Sequence, residues 1–207
     1  MGAPEPLVRI EAPLPPSAGG LALVPPVPSE ASGAVLRTFE AWKLPTEGAA
    51  VVVGCLSTPV PGWVEEMRQP VMARAEAWTA KLAEKVAGVP VELRGDGEVR
   101  KVHEVTAGPK GSARTFLTFE HEGRGARVVT CGIACAGEDR AKDTCEAVVR
   151  GSRVVGGSAP PAPTAGLAAL SWAVRHPAPT AGATAGAAAA LLLALVLFRR
   201  RPRSRPF

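Results

Sequence analysis

The residues of this 207-residue chain with the widest chemical reach are four cysteines, Cys55, Cys131, Cys135 and Cys145. Thiolates hold metals, exchange disulfides or act as nucleophiles, and their spacing separates those uses. A zinc knuckle needs paired cysteines two residues apart, because that gap wraps the chain around a tetrahedral ion. Here the gaps are three and nine residues, with Cys55 far upstream, and no pattern brings His103 or His121 to them. The spacing therefore predicts no metal and no cofactor. On an unbroken strand Cys131 and Cys135 share a face about 13 Å apart, beyond mutual disulfide reach. Cys135 with Cys145 could bridge a strand end to a facing helix, and Cys55 with Cys131 could join neighbouring strands. In the competing reading all four are small buried hydrophobes. The choice turns on the compartment, since disulfides persist in oxidising surroundings.

Other candidate groups carry less. Glu65-Glu66 reads as solvated charge at a helix start. There is no GxSxG elbow, dinucleotide fingerprint, phosphate loop, EF-hand or HExxH. Gly108–Gly111 is too short to cradle a phosphate. With no Tyr, five Phe and four Trp, a stacking platform for single-stranded nucleic acid is not expected. No catalytic residue is assigned, and the chain reads as a non-catalytic domain that binds a protein or a cell-envelope component. Two alternatives stay open. One is a hydrolase or transferase built from scattered residues, such as His103 or His121 beside a carboxylate. The other is a thiol-redox or metal protein using the cysteines.

These residues must be positioned by elements whose signals are clear. Residues 1–33 are rich in Pro, with short strands expected near Leu7–Glu11 and Leu21–Val24. Val35–Trp42 reads as a strand. Ala49–Leu56 is a continuous apolar run between turn residues, the mark of a strand covered on both faces. Val64, Met67, Val71, Ala75, Trp78, Leu82 and Val86 recur at threes and fours, which predicts a long helix ending at Gly88. Arg74, Lys81, Glu84 and Lys85 lie off that stripe. Val89–Val105 alternates around Gly95-Asp96-Gly97 and predicts a hairpin. Strands follow at Arg114–Glu120 and Ala126–Cys135. In the next segment Ala141, Cys145, Val148 and Val149 share a helical face.

This order predicts an α+β domain over residues 34–156, an antiparallel sheet with one long helix and a C-terminal helix packed on it. The strand ARVVTCGIAC followed by CEAVVRGSRVV resembles the PsbP-like α/β/α sandwich family over residues 34–156. The resemblance implies a small lumenal or periplasmic fold whose members include non-enzymes; it supplies no ligand residues.

Residues 157–176 read as a Gly/Ala/Pro linker with a short interfacial segment. Residues 177–198 then run without a charge. As a helix they would extend about 33 Å, enough to cross a bilayer as a single transmembrane span. The tail 199–207 brings Arg199, Arg200, Arg201, Arg203 and Arg205, a stop-transfer flank that resembles bacterial sorting tails. The lipid bilayer is thus an expected partner. Gly182 and Gly186 form a GxxxG that suggests a weak homodimer. The tail also explains the net charge of +5, because residues 1–198 hold 19 basic and 19 acidic groups. Without a basic face, nucleic acid is not an expected partner. The Arg cluster favours a cytoplasmic tail and an extracytoplasmic domain. The start, MGAPEPLVRI, does not read as a signal peptide.

Overall fold

The computed structural model describes residues 7–28, 33–106, 108–122 and 125–176. These form nine strands: β1 (Arg9–Glu11), β2 (Gly19–Gly20), β3 (Val35–Leu44), β4 (Ala49–Val60), β5 (Val91–Arg94), β6 (Val99–Glu104), β7 (Gly108–Glu122), β8 (Gly125–Gly137) and β9 (Arg153–Val155). Three α-helices accompany them: α1 (Arg68–Ala87), α2 (Lys142–Gly151) and α3 (Ala165–Arg175). Seven strands form one sheet in the order β2-β3-β4-β8-β7-β6-β5, with every pair antiparallel. β1 and β9, from opposite ends of the domain, pair as a second small sheet.

Burial follows from strand position. β4 and β8 sit at the centre, and residues 51–57 of β4 are all buried. A strand covered on both faces has no use for polar alternation, hence its run of Val. On one face α2 and β1 pack Val148, Val149, Cys145, Val8 and Ile10 over Val51, Val53, Val129 and Ile133. On the other face α1 packs Trp78, Leu82 and Ala83 over Val52, Leu56, Val102 and Ala134. A smaller cluster at one end joins Trp63 edge-on to Phe119, with ring centroids 4.8 Å apart, beside Val128.

Two glycines set the seat of α1. Gly54 and Gly132 are cross-strand partners on β4 and β8. A Cβ on Gly54 would lie 2.6 Å from the Trp78 ring, and one on Gly132 would lie 2.4 Å from the Thr79 hydroxyl. Only bare backbone there lets the helix come so close. At its end, Gly88 takes φ +71° and its amide donates to the Glu84 carbonyl, which closes the last turn.

Four sequence expectations are corrected. Residues Gly108–Gly111, read as a loop, open the fifteen-residue β7. Their Gly-Pro composition is tolerated because the β6–β7 register shifts between Val102 and His103, loosening the ladder there. The early strand falls at Gly19–Gly20, not Leu21–Val24. The segment placed in a linker over 157–176 contains α3, whose Thr164 side chain accepts a hydrogen bond from the Leu167 amide.

The largest correction concerns the fold class, an α+β sheet with two helices followed by a single transmembrane helix. The described residues are mostly antiparallel sheet with three helices, and none of these is long and apolar enough to cross a membrane. α1 is long, but one side is charged; α3 is apolar, but its 11 residues extend only about 16 Å. Residues 177–198, with Gly182 and Gly186, lie outside the described residues, as do Arg199, Arg200, Arg201, Arg203 and Arg205. The chain divides into two compact units, Met1–Ala162 and Pro163–Phe207; α3 belongs to the second.

Candidate functional site

The four cysteines lie in the first unit, and all are in disulfides. The β4–β8 register sets Cys55 opposite Cys131 with Cα atoms 4.1 Å apart, and their sulfurs are bonded. Cys135, four residues and two pleat repeats further along the same face, is bonded to Cys145 on α2 with Cα atoms 5.2 Å apart. All four are essentially inaccessible to solvent. Buried disulfides of this kind cross-link the domain, joining the two central strands to each other and α2 to the sheet.

The histidines are kept apart. His103 on β6 pairs with Pro109 at the start of β7, while His121 sits twelve positions further along β7. At about 3.3 Å per residue that separation is about 40 Å, so they cannot share one site. Glu65 lies in the 3-10 turn before α1 and meets Arg68 at 3.4 Å, in line with a solvated helix-start charge. His176 caps α3, its ring 5.1 Å from Trp172. Among the described residues no group of three His, Cys, Asp or Glu side chains could hold a metal ion.

The residues that come together lie elsewhere, at the end of the sheet beneath the C-terminus of α1. An open cleft of about 400 Å³ is lined by Leu21, Lys43, Pro45, Ala50 and Val86, among others. It is a shallow depression, closer to an open surface than to an enclosed cavity. Four segments build it. Gly48, at φ +65°, turns the chain from β3 into β4, and its carbonyl accepts from the Glu138 amide at 3.1 Å. Gly137 must lack a side chain, since a Cβ would meet Ala49 and the Gly48 carbonyl at 2.6 Å. Leu21 follows β2 and is held by its amide donating to the Ala41 carbonyl at 2.8 Å. Val86 comes from the last turn of α1. The lining is thus mostly apolar, with Lys43 as its one charged residue and the Glu138 and Arg140 side chains beside Gly48.

The ionisable groups whose protonation the fold perturbs lie on the α2 side of the sheet. The Glu146 carboxyl is held below its ordinary range by Lys101 and then by Arg150, whose guanidinium donates at 2.6 Å. Glu11 is lowered in the same way by Arg153 at 3.0 Å and by Arg9. Both are charge-assisted hydrogen bonds that favour the ionised acid. They tie β1 to β9 and α2 to β6, and neither borders the cleft.

Sequence reading missed the cleft because its lining is drawn from positions 21, 43–50, 86 and 136–137, each ordinary in isolation. No protein-family model, no curated protein and no solved structure matches the chain.

Proposed function

We propose that this chain is a non-catalytic binding domain that works in an oxidising, extracytoplasmic compartment and recognises another protein through the cleft beneath α1. The make-up of the cleft carries the reading. Apolar residues Leu21, Pro45, Ala50 and Val86 with Lys43 among them form a surface suited to an apolar side chain and a neighbouring charge. The two disulfides support the compartment, because a reducing cytosol would keep such thiols open. The scaffold suits such a role. Its two central strands are joined covalently, which holds the β4 and β8 lining residues, Ala49, Ala50, Ala136 and Gly137, in register.

The test is site-specific photo-crosslinking with a photoreactive residue at Pro45, in the full chain made in its own cells. The expected result is a discrete protein adduct that disappears when Ala50→Trp fills the cleft. Absence of any adduct, or an adduct indifferent to Ala50→Trp, would overturn the reading. Mass mapping of non-reduced, alkylated protein tests the compartment separately; four alkylated thiols would sink it.

A further inference from the structure

The two flanks of α1 differ in how their charges are met. Trp78 stands over β4 and Thr79 over β8, while Glu76 reaches Arg100 on β6 at 2.8 Å. The Glu76 side of the helix therefore faces β6, and the opposite side faces β4 and β3. At about 100° per residue, Arg74, Lys81 and Lys85 fall within about 40° of one another on that opposite side. Among the described residues none of the three has an ion-pair partner, whereas Arg68, Arg94, Arg100, Lys101 and Arg114 all do. Lys81 and Lys85 are also four apart, a like-charge spacing that destabilises a helix. Lys43 stands on β3, on the same side of the helix, and its partner in the sheet is Ala50, which lines the cleft with it and with Val86 of the last turn of α1. Three cations on one flank of α1 and Lys43 on β3, none of them in an ion pair among the described residues, thus lie on the sheet side that carries the cleft.

Resting on the binding-domain reading, we propose that the partner presents an extended acidic segment. Its carboxylates lie along Arg74, Lys81, Lys85 and Lys43, and an apolar side chain next to them enters the cleft. The dimensions agree. Arg74 to Lys85 spans about 17 Å of helix, the length of about five extended residues. Such a segment turns every second side chain toward the cations and leaves the alternate ones free to turn inward. Charge complementarity of this kind sets register and speeds encounter, and the apolar anchor holds the complex.

The probe is a fluorescent peptide of about eight residues alternating Glu with Leu, titrated into the full chain and followed by anisotropy. The expected result is saturable binding that weakens about tenfold between about 20 and about 200 mM salt. The triple variant Lys43→Glu, Lys81→Glu, Lys85→Glu should lose at least about tenfold, and Lys→Gln at the same positions an intermediate amount. These side chains are surface groups, and near-UV circular dichroism of the variants should match the parent. A Lys-Leu peptide of the same pattern should not bind. No binding at low salt, or binding indifferent to the triple variant, overturns the proposal. So does a variant-sensitive interaction found only with single-stranded DNA or with anionic vesicles. A Pro45 adduct without acidic-peptide binding would defeat the charge inference and leave the binding-domain reading standing.

Discussion

The two faces of the central sheet are held by different means. α2 itself contributes small side chains, Cys145, Val148 and Val149, against Val51, Val53 and Val129. A ten-residue helix with such residues gains little from burial alone, and isolated helices of that length are marginal. That face is clamped by both disulfides and by the Lys101–Glu146 pair. Under α1 there is no covalent link. A twenty-residue helix buries Trp78 and Leu82, and bare glycines bring it close to the strands. Cross-links thus stand in where side-chain volume is small, and intimate packing suffices where it is large. The unclamped helix is also the one that borders the cleft.

The contrast is broken most strongly by removing the cross-strand link. Cys55 and Cys131 are 76 positions apart, and closing a loop of that size in the unfolded chain is worth about 4.5 kcal/mol in the chain-entropy account. The double variant Cys55→Ala, Cys131→Ala should lose about that much in a denaturant melt. A loss below about 1 kcal/mol would mean that β4 and β8 are held by their ladder and core alone, as the α1 face is.

Next in size is Trp78→Ala, which attacks the packed face. Trp78 is 6% exposed and its ring fills the space above Gly54. Since Gly54 has no side chain to move into the gap, the loss should be about 4 kcal/mol. A change under about half a kcal/mol, typical of surface sites, would remove α1 from the core.

The third variant sharpens the comparison. Cys135 and Cys145 are only 10 positions apart, so Cys135→Ala with Cys145→Ala should cost about 2.7 kcal/mol. Hydrogen exchange should rise selectively in α2, because its remaining contacts are few and small. Equal acceleration in α1 would show that the faces open as one unit.

How much of this was legible in the sequence depends on the range of the signal. The run Ala49–Leu56 reads directly as a doubly covered strand, and the stripe through Ala75, Trp78 and Leu82 as the inner face of α1, because both signals are local. The cysteine alternatives could be narrowed but not chosen, since register is set by pairing between strands some seventy residues apart. The pairing of β1 with β9 was invisible for the same reason. The fold expectation counted two helices; the third, α3, falls in a segment whose Gly, Ala and Pro content reads as a linker, and residues 177–198 lie outside the described residues. Neither the cleft nor the cationic row could be found without knowing which flank of α1 faces β4. That orientation is fixed by Gly54 and Gly132, whose role depends on their standing side by side.

The smallest expected effect tests whether electrostatics share the clamping of α2. Lys101 and, after it, Arg150 hold the Glu146 carboxyl below its ordinary value of 4.5. A carboxyl whose folded pKa is depressed contributes stability above its unfolded value, and loses it as pH falls through the folded value. The contribution should therefore be complete near neutrality and should fade only below about pH 4.5, in the acid limb. The pair is partly exposed, with Glu146 at 31%, so solvent screens it and the contribution is small beside either disulfide. Glu146→Gln should lower the thermal midpoint slightly at pH 7, and its acid limb should be flatter than that of the parent. The parent and variant curves should converge as pH falls. Added salt should bring the neutral-pH curves together as well. Curves that stay parallel into acid would assign the loss to packing of the side-chain stem. The α2 face would then be held by covalent bonds and small-residue packing without help from charge.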